Sequence, residues 1–470
     1  MSRIELHGKQ REVLALPAYG HTIVLGTAGS GKTTIALMRA KYLAELPGDA
    51  RVLLVTFNRA LSNHMSNLCG SIPDCLTIET YHTFARGYLA SRGKMSGYGK
   101  IITSSEKESH IKSARDFYRE KFPDESTLKR PVRFFVDEIA FIQKFGFSNF
   151  AEYHAARRIG RAAANLRRKN REWIYRVYER YLELRTSLGH MYDWDDLAKH
   201  VHDELMDDDG QRMYSHIIID EGQDYSPMMI KSLVAAVAKE GSLTFFGDVA
   251  QQVYGTCLSW RDSGIDCEKI WHFEANYRNP TTIVAFAEDI TAYGHWISDE
   301  DMVAPVAQAA EGPKPILTSF SCRKKEIEWV VQQAIMSSKT SSVVVVCRNR
   351  TLTSEVADLV RHSGYGAIEI ERNTASAFRE GVVHVTTFHT AKGLEFDNVF
   401  IPFLSEGMFP DEGKFETTLP LEEIYADEIK LFYVGVTRSK YGLFMSYHDN
   451  LSVLFPEDSK NYDRYTEEDL

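Results

Sequence analysis

Short apolar runs, separated by longer amphipathic stretches, recur along this chain. Residues 21–25 (HTIVL), 52–55 (VLLV) and 216–219 (HIII) are runs of this kind, and short apolar runs are typical of strands that are buried on both faces. Residues 34–44, which follow the first run after a glycine-rich loop, have the composition of a helix. The pattern predicts parallel strands covered by helices.

The second half of the chain shows the same alternation. Residues 316–320, 343–347 and 382–386 are predicted strands, and helical stretches lie between them. A chain of 470 residues has room for two or three domains, each with its own core. The predicted fold class is therefore α/β, and no internal repeat or long low-complexity segment interrupts it.

Composition and charge narrow the possible functions. The formal net charge of −10 argues mildly against passive electrostatic binding to nucleic acid, although an acidic protein can still carry a basic groove. No apolar run is long enough to span a bilayer, and residues 1–7 lack the apolar core of a signal peptide, so we expect a cytoplasmic protein with no membrane partner. Six cysteines without a CxxC pair are expected to be reduced thiols: Cys69, Cys75, Cys257, Cys267, Cys322 and Cys347.

A glycine-rich loop of the form GxxxxGK[ST] joins the first predicted strand to the first predicted helix. In this context the glycines let backbone N–H groups turn towards a phosphate chain, and the helix N-terminus adds partial positive charge. Lys32 would reach the outer phosphates and Thr33 would bind Mg²⁺. The flanking strand and helix disfavour the alternative, a fortuitous glycine-rich turn. The predicted nucleotide-binding residues here are Gly26, Thr27, Ala28, Gly29, Ser30, Gly31, Lys32, Thr33 and Thr34.

A second carboxylate site is expected from Asp220 and Glu221, which directly follow the apolar run 216–219. Asp220 is placed to bind Mg²⁺, and Glu221 is placed to polarise the attacking water. Taken alone, this pair is as consistent with an acidic turn, but the upstream phosphate loop favours the functional interpretation. Arg278 and Arg438 are candidates for the cation that neutralises charge in the transition state, although their spacing alone would not select them.

Taken in order, these segments resemble the UvrD/Rep/PcrA helicases of superfamily 1, and the resemblance extends from about residue 6 to 440. It implies two RecA-like P-loop NTPase lobes, with ATP and Mg²⁺ bound in the cleft between them. It also implies roles for nucleotide-binding residues outside the loop. Gln10 would recognise adenine, Gln251 of Gly247–Gly255 would sense the γ-phosphate, Tyr277 would pack on the base, Arg278 and Arg438 would bind phosphate, and Glu395 would contact the nucleotide.

The same resemblance implies a set of DNA-binding residues. They lie in segments similar to the family's DNA-contacting motifs, and Gln223 of Asp220–Asp224 is expected to link the nucleotide state to DNA contacts. Relatives carry a tryptophan directly after the Tyr-Gly of GDxxQxxYG, whereas Thr256 stands there in this chain. Trp260 is the nearest tryptophan in the sequence. It could take over the base-stacking role of the missing residue, or it could be a core tryptophan. The candidates are Thr56, Phe57, Asn58, Thr80, His82, Tyr254, Trp260, Thr387 and His389.

The resemblance also divides the chain. Residues 1–88 and 197–275 are expected to form the first lobe, residues 89–196 a helical insertion in it, and residues 276–470 the second lobe. We expect the large accessory domain that relatives insert before the TxHxxKGLEF motif (residues 387–396 here) to be absent, because only the short stretch 366–382 precedes that motif. In relatives this domain regulates unwinding, so we expect ATP hydrolysis without strong autonomous unwinding.

Basic residues are concentrated within the predicted insertion and are followed by aromatic residues. Such groups can pair with phosphates and stack on bases. The alternative is a solvated helix face with aromatic residues packed beneath it, which is equally consistent for the basic residues and better for the tyrosines. The basic residues are Arg157, Arg158, Arg161, Arg167, Arg168, Lys169 and Arg171, and the aromatic residues are Trp173, Tyr175, Tyr178 and Tyr181.

The function expected from the sequence is ATP-dependent translocation along single-stranded DNA, with 3′→5′ direction implied by the family. The DNA partner would be a single strand or a tailed duplex. The alternative is a regulatory subunit that senses DNA and nucleotide and controls a partner nuclease, because short members of this family resemble the helicase-like subunits of anti-phage systems such as Gabija. The chain shows no credible nuclease site of its own.

Overall fold

The structure is a computed structural model. It describes residues 6–56, 61–63, 65–66, 72–158, 166–248, 263–294, 296, 303, 305–308, 310–371, 381–411 and 421–470.

A six-stranded sheet of parallel strands forms the first lobe, in the order β3-β2-β4-β5-β1-β6. Its strands are β1 (Gly20–Gly26), β2 (Val52–Thr56), β3 (Leu76–Thr80), β4 (Tyr214–Ile219), β5 (Val237–Gly247) and β6 (Ile270–Phe273). The carboxyl ends of β1, β4 and β5 meet at one edge of the sheet, which is where α/β proteins bind ligands. The phosphate loop, Asp220 and Asp248 directly follow these three strands.

A seven-stranded parallel sheet forms the second lobe, in the order β11-β12-β10-β13-β14-β9-β15. A pair of short parallel strands, β7 (Ala275–Asn276) and β8 (Val306–Ala307), precedes it in the chain. The strands of the second sheet are β9 (Ile316–Phe320), β10 (Val343–Cys347), β11 (Gly366–Glu369), β12 (Val382–Thr387), β13 (Phe396–Ile401), β14 (Ser439–His448) and β15 (Asp463–Thr466). These two parallel sheets confirm the predicted α/β class with two RecA-like lobes.

Helices cover both sheets and also form the segment that interrupts the first lobe. Those of the first lobe and the interrupting segment are α1 (Lys9–Leu14), α2 (Lys32–Ala44), α3 (Tyr81–Ser91), α4 (Ser104–Lys121), α5 (Val132–Phe145), α6 (Phe150–Ala155), α7 (Arg171–Ser187), α8 (Leu197–Met206) and α9 (Pro227–Ala236). Those that follow are α10 (Thr281–Ala292), α11 (Arg323–Ser338), α12 (Arg350–His362), α13 (Phe388–Ala391) and α14 (Leu421–Val436). Among the helices in the described ranges, none has both the length and the apolarity needed to cross a membrane.

Separate apolar cores stabilise these units. Each sheet lies between two clusters of buried side chains, and the strand interiors Val52–Thr56 and Val343–Cys347 are buried throughout. Helices α4 to α7 enclose a further core that includes Phe134, Ile139 and Tyr181. Continuous burial explains why the strands appear in the sequence as unbroken apolar runs rather than as alternating patterns.

A buried polar network joins α4 and α7 to residues 193–196, which lead directly into α8 of the first lobe. The Lys107 ammonium is 2.8 Å from Asp195 and 3.2 Å from Asp193, and Arg185 pairs with both Asp193 and Asp196. Burial, together with the charge of Asp193, raises the pKa of Asp196 to about 7. Although burial opposes its ionisation, Lys107 and Arg185 hold the pKa of Asp193 well below its usual range. Such a network is rigid because each charge depends on its neighbours for compensation.

Two arginines of the predicted basic stripe are structural. Arg158 pairs with the buried Glu138 at 2.7 Å, and the buried Arg171 donates to the carbonyls of residues 153, 154 and 156. Of the two interpretations left open for the basic residues, packing within the protein describes these two, because both guanidinium groups are committed to protein partners. Arg157, Arg167, Arg168 and Lys169 are exposed, and Arg161 lies outside the described residues. All four aromatic residues pack on the core of this segment, as the alternative interpretation expects.

Candidate ATP site between the two lobes

The phosphate loop carries its lysine at the first position of α2. Gly31, at φ 82°, begins the helix in a left-handed conformation that glycine adopts without strain. The Lys32 ammonium donates to the carbonyls of Gly26 at 2.9 Å and Thr27 at 2.7 Å, and lies 3.3 Å from the carboxylate of Asp248. Lys32 is thus held inside the loop by the loop's own backbone and by Asp248, the residue that directly follows β5.

Thr33 and Asp220 form a site that fits Mg²⁺. The Thr33 hydroxyl donates to Asp220 Oδ2 at 2.9 Å, while Asp220 Oδ1 is buried without a hydrogen-bond partner among the described residues. Burial, together with the neighbouring Glu221, raises the pKa of Asp220 to about 7. A buried carboxylate oxygen that lacks a donor is suited to a hard divalent cation. Thr33 and Asp220 would hold Mg²⁺, which would offset charge on the phosphate oxygens.

Glu221 is held in an unusual backbone conformation beside this pair. Its φ of 54° lies in the left-handed region, where a residue with a side chain is strained and is often functional. Its carboxylate accepts a hydrogen bond from Gln223 Nε2 at 2.5 Å, and Gln223 Oε1 accepts from the backbone N–H of Asp248 at 2.9 Å. Although burial opposes ionisation, Lys392, Lys32 and Arg438 lower the pKa of Glu221. The ionised carboxylate can accept a proton from water.

Gln10 and Tyr277 lie beside the phosphate loop. The Gln10 amide donates to the carbonyl of Ser30 at 2.9 Å and accepts from the backbone N–H of His7 at 3.1 Å. The rings of Tyr277 and His7 are stacked with centroids 5.2 Å apart, and the Tyr277 backbone N–H donates to Gly29 at 3.0 Å. Gln10 therefore contacts the backbone of the phosphate loop. Its contact with adenine stays a prediction.

Arg278 and Arg438 are brought together from distant parts of the chain. Arg278 Nε lies 2.8 Å from the carboxylate of Glu395, which is also 3.5 Å from the ammonium of Lys440. Arg438 is 1% exposed and donates to the carbonyls of Val434 and Leu394. Burial, aided by the charge of Arg278, lowers the pKa of Arg438 to about 10, so this side chain remains a cation at neutral pH.

A buried ion pair joins the second lobe to the first. Lys392 Nζ lies 2.7 Å from Asp224 Oδ1, and both side chains are almost completely buried. Asp224 belongs to the carboxylate segment that follows β4, whereas Lys392 directly follows α13 of the second lobe. Because a buried charge is costly without its partner, the pair favours the two lobes in contact.

Family models match both halves of this arrangement. The UvrD/REP helicase N-terminal domain matches residues 6–277, and the UvrD-like helicase C-terminal domain matches residues 353–450. This chain belongs to the UvrD/REP helicase family. The sequence-based resemblance is thereby confirmed, and the ATP-site segments described above fall within or between the two matches.

The curated relatives of this UvrD-like chain are helicases by description. A probable DNA helicase of Mycoplasma pneumoniae is 23% identical over 91% of this chain and 80% of its own length. A putative ATP-dependent DNA helicase of Bacillus subtilis is 26% identical over 57% of this chain and 36% of its own. The ATP-dependent DNA helicase srs2 of Schizosaccharomyces pombe is 22% identical over 77% of this chain and 42% of its own. The chain thus spans less than half the length of the last two.

The predicted DNA-contacting residues of this UvrD-like protein lie near the ends of strands in both lobes. Thr80 ends β3 and caps α3, accepting from the Thr83 N–H at 3.3 Å. Thr387 ends β12 and caps α13 in the same way. Each threonine is followed two positions later by a histidine, His82 or His389.

Other predicted DNA contacts differ in their surroundings. Thr56 is fully buried at the end of β2, and the His82 ring meets that of Trp194 edge-on at 5.2 Å. Five residues with predicted roles lie outside the described residues, and their roles stay predictions: Phe57, Asn58, Gln251, Tyr254 and Trp260.

Several residues of the UvrD-like site had no role assigned from sequence. Asp248 was part of a recognised motif, but only the fold shows it beside Lys32. The partners Lys392 and Asp224 also lay within motifs, yet their separation of 168 residues along the chain left no spacing signal that could join them.

We expect Gly29→Ala to lower ATP turnover by about 10²-fold, through misplacement of the loop. Gly29 has φ +71°, and an added Cβ would lie 2.2 Å from the Asn276 side-chain oxygen, which is buried and hydrogen-bonded. Steady-state ATP hydrolysis measures this. Gly364→Ala is the control, since Gly364 has φ +84° with no neighbour within 4 Å. If Gly29→Ala hydrolyses ATP as well as Gly364→Ala, steric contact at the loop is unimportant.

Proposed function

We propose that this chain is an ATP-driven motor that moves along single-stranded DNA in the 3′→5′ direction and separates duplex strands weakly on its own. The observation that carries this proposal is the convergence of cations from both lobes on one carboxylate. Lys32 of the first lobe, and Lys392 and Arg438 of the second, are the cations that lower the pKa of Glu221, and Lys392 also lies 2.7 Å from Asp224 of the same carboxylate segment. A triphosphate bound here would be contacted by both lobes.

The residues of the first lobe would prepare the reaction. Lys32 would exchange its contacts with loop carbonyls and Asp248 for the outer phosphates, because a phosphate is the stronger acceptor for an ammonium group. Thr33 and Asp220 would hold Mg²⁺. Glu221 would orient the attacking water and accept its proton.

The residues of the second lobe would respond to the terminal phosphate. Arg278 uses Nε to contact Glu395, so its remaining N–H donors can bind phosphate oxygens. Arg438 adds a buried cation in the same cleft. Both arginines would hold the lobes together while the γ-phosphate is attached, and its release would remove that attraction and relax the cleft.

A short path connects this cleft to the predicted DNA contacts. Thr387 and His389 lie on α13 or at its start, and Lys392 directly follows that helix and pairs with Asp224. On the other side, Gln223 joins Glu221 to the backbone of Asp248. Movement of the lobes on hydrolysis would therefore shift residues expected to contact DNA, which supports coupling of ATP turnover to stepping.

The proposal is tested by measuring ATP hydrolysis with and without single-stranded DNA. We expect DNA to stimulate turnover strongly, and duplexes with 3′ tails to be engaged in preference to those with 5′ tails. Streptavidin displacement from end-labelled strands measures direction without requiring unwinding. Absence of stimulation, or displacement only from the 5′ end, would contradict the proposal. Hydrolysis without any displacement would instead favour the regulatory subunit that signals to a partner nuclease.

A further inference from the structure

Asn279 lies in a segment that touches both the phosphate loop and the turn that carries Arg438. It directly follows Arg278, is 1% exposed, and precedes α10. Its side-chain amide donates to the carbonyl of Thr437 at 3.2 Å and to that of Ser439 at 2.6 Å. These two carbonyls are on either side of Arg438, at the junction between α14 and β14.

A second asparagine completes the connection. Asn276 Oδ1 accepts from the backbone N–H groups of Arg278 and Asn279, both at 3.0 Å, and Asn276 Nδ2 donates to Asn279 Oδ1 at 2.9 Å. Asn276 is also buried. The Asn279 amide is thus fixed on its acceptor side by Asn276 and on its donor side by the turn around Arg438.

We propose that Asn279 is a positioning residue that couples Arg278 to Arg438, so that both arginines meet the terminal phosphate as one unit. The inference rests on the proposed ATPase function. Its physical basis is that a buried amide whose donors both face carbonyls cannot rotate without leaving polar groups unsatisfied. The Thr437–Ser439 backbone therefore keeps a fixed relation to Arg278, although 158 residues separate the partners in the chain.

The chemical role of Asn279 would be geometric. Phosphoryl transfer depends on placing positive charge where negative charge develops, and a displacement of about 1 Å can cost about 10²-fold in rate. Loss of the Asn279 amide would free the Thr437–Ser439 turn, and Arg438 would lose its alignment while keeping its charge. The loss should appear in kcat more than in the KM for ATP, because the contact matters most in the transition state.

The test is a double-mutant cycle on ATP turnover. We expect Asn279→Ala to lower kcat by about 10²-fold in the wild-type background, and by less than about 3-fold when Arg438→Ala is already present, because the two changes remove the same alignment. Asn279→Asp keeps the shape of the side chain but turns a donor into an acceptor that faces two carbonyls, so it should be at least as damaging.

Controls separate alignment from stability and from the motor proposal itself. Asn349→Ala removes the partly buried hydrogen bond that the Asn349 side chain accepts from the Leu352 N–H at the start of α12, and it should leave turnover unchanged. Thermal unfolding checks each variant, and Asn279→Ser replaces Asn279→Ala if the latter is poorly folded. Hydrogen exchange of the Thr437–Ser439 turn without nucleotide provides a readout that does not need hydrolysis, and protection there should fall in the Asn279 variants.

The outcomes are distinct. Wild-type turnover in Asn279→Ala, equal losses in both backgrounds, or unchanged exchange at the turn would each overturn the role of Asn279. A wild-type chain that fails to hydrolyse ATP while its Asn279 variants show faster exchange would overturn the proposed motor instead, and would leave the fixed connection between the two arginine segments standing.

Discussion

Lys32→Ala should reduce ATP hydrolysis by about 10³-fold or more, with or without DNA. The ammonium of Lys32 lies between two loop carbonyls and the Asp248 carboxylate, the place where the outer phosphates would bind. Removing it takes the ammonium group away from the end of β1 and deprives the buried Asp248 of that ion pair. Phosphate release under saturating ATP measures the loss.

Lys440→Ala is the matched control for Lys32→Ala. Lys440 is also close to a carboxylate of the cleft, Glu395, but at 3.5 Å and with 43% of its side chain exposed. Exposed pairs of this kind contribute about 1 kcal/mol or less, so turnover should change little. If Lys32→Ala retained turnover comparable to that of Lys440→Ala, the loop would not be the site of ATP hydrolysis.

Arg278→Ala and Arg438→Ala should each retain DNA binding and lose turnover by about 10³–10⁵-fold, as expected for arginine fingers. Glu395 holds the Arg278 side chain, and backbone carbonyls of the second lobe hold that of Arg438. Their charge is needed only when negative charge develops on the terminal phosphate. Fluorescence anisotropy with labelled single-stranded DNA, together with single-turnover hydrolysis, separates binding from chemistry.

Arg361→Ala is the control for the arginine variants. Arg361 pairs with Asp358 and Glu369 on the surface of the second lobe, so its loss changes net charge equally without touching the cleft. Near-normal turnover in both cleft variants would refute their assignment. Weakened DNA binding equal to the loss in turnover would show that they act on DNA rather than on phosphate.

The residues that could be predicted from sequence are those whose chemistry is local. The phosphate loop is contained in a strand, a turn and a helix start, so Gly26 to Thr33 could be identified without knowledge of the fold. The carboxylates Asp220 and Glu221 could be identified because they directly follow an apolar strand in a chain that carries a phosphate loop upstream. The two sheets could be predicted from unbroken apolar runs, because strands that are buried on both faces have apolar side chains at nearly every position.

The connections between these segments could not be predicted, because they depend on how distant strands lie side by side. The position of Asn279 in the sequence gives no sign of its contacts with Thr437 and Ser439. An asparagine that follows Asn-Tyr-Arg could have any of several structural roles. Arg158 and Arg171 illustrate the opposite error. A basic stripe suggests a surface, but tertiary packing buries these two guanidinium groups against Glu138 and backbone carbonyls.

The position of β1 in its sheet has a consequence for synthesis on the ribosome. Its neighbours are β5 and β6, with His21 beside Leu243 and Gly26 beside Phe273. The first strand of the lobe to be synthesised therefore pairs with the last two strands of the lobe to be synthesised. At about 5–20 residues per second, that delay is roughly ten to forty seconds. During this interval the nascent chain would carry an apolar strand without its partners, which makes it a natural client for chaperones that shield such segments.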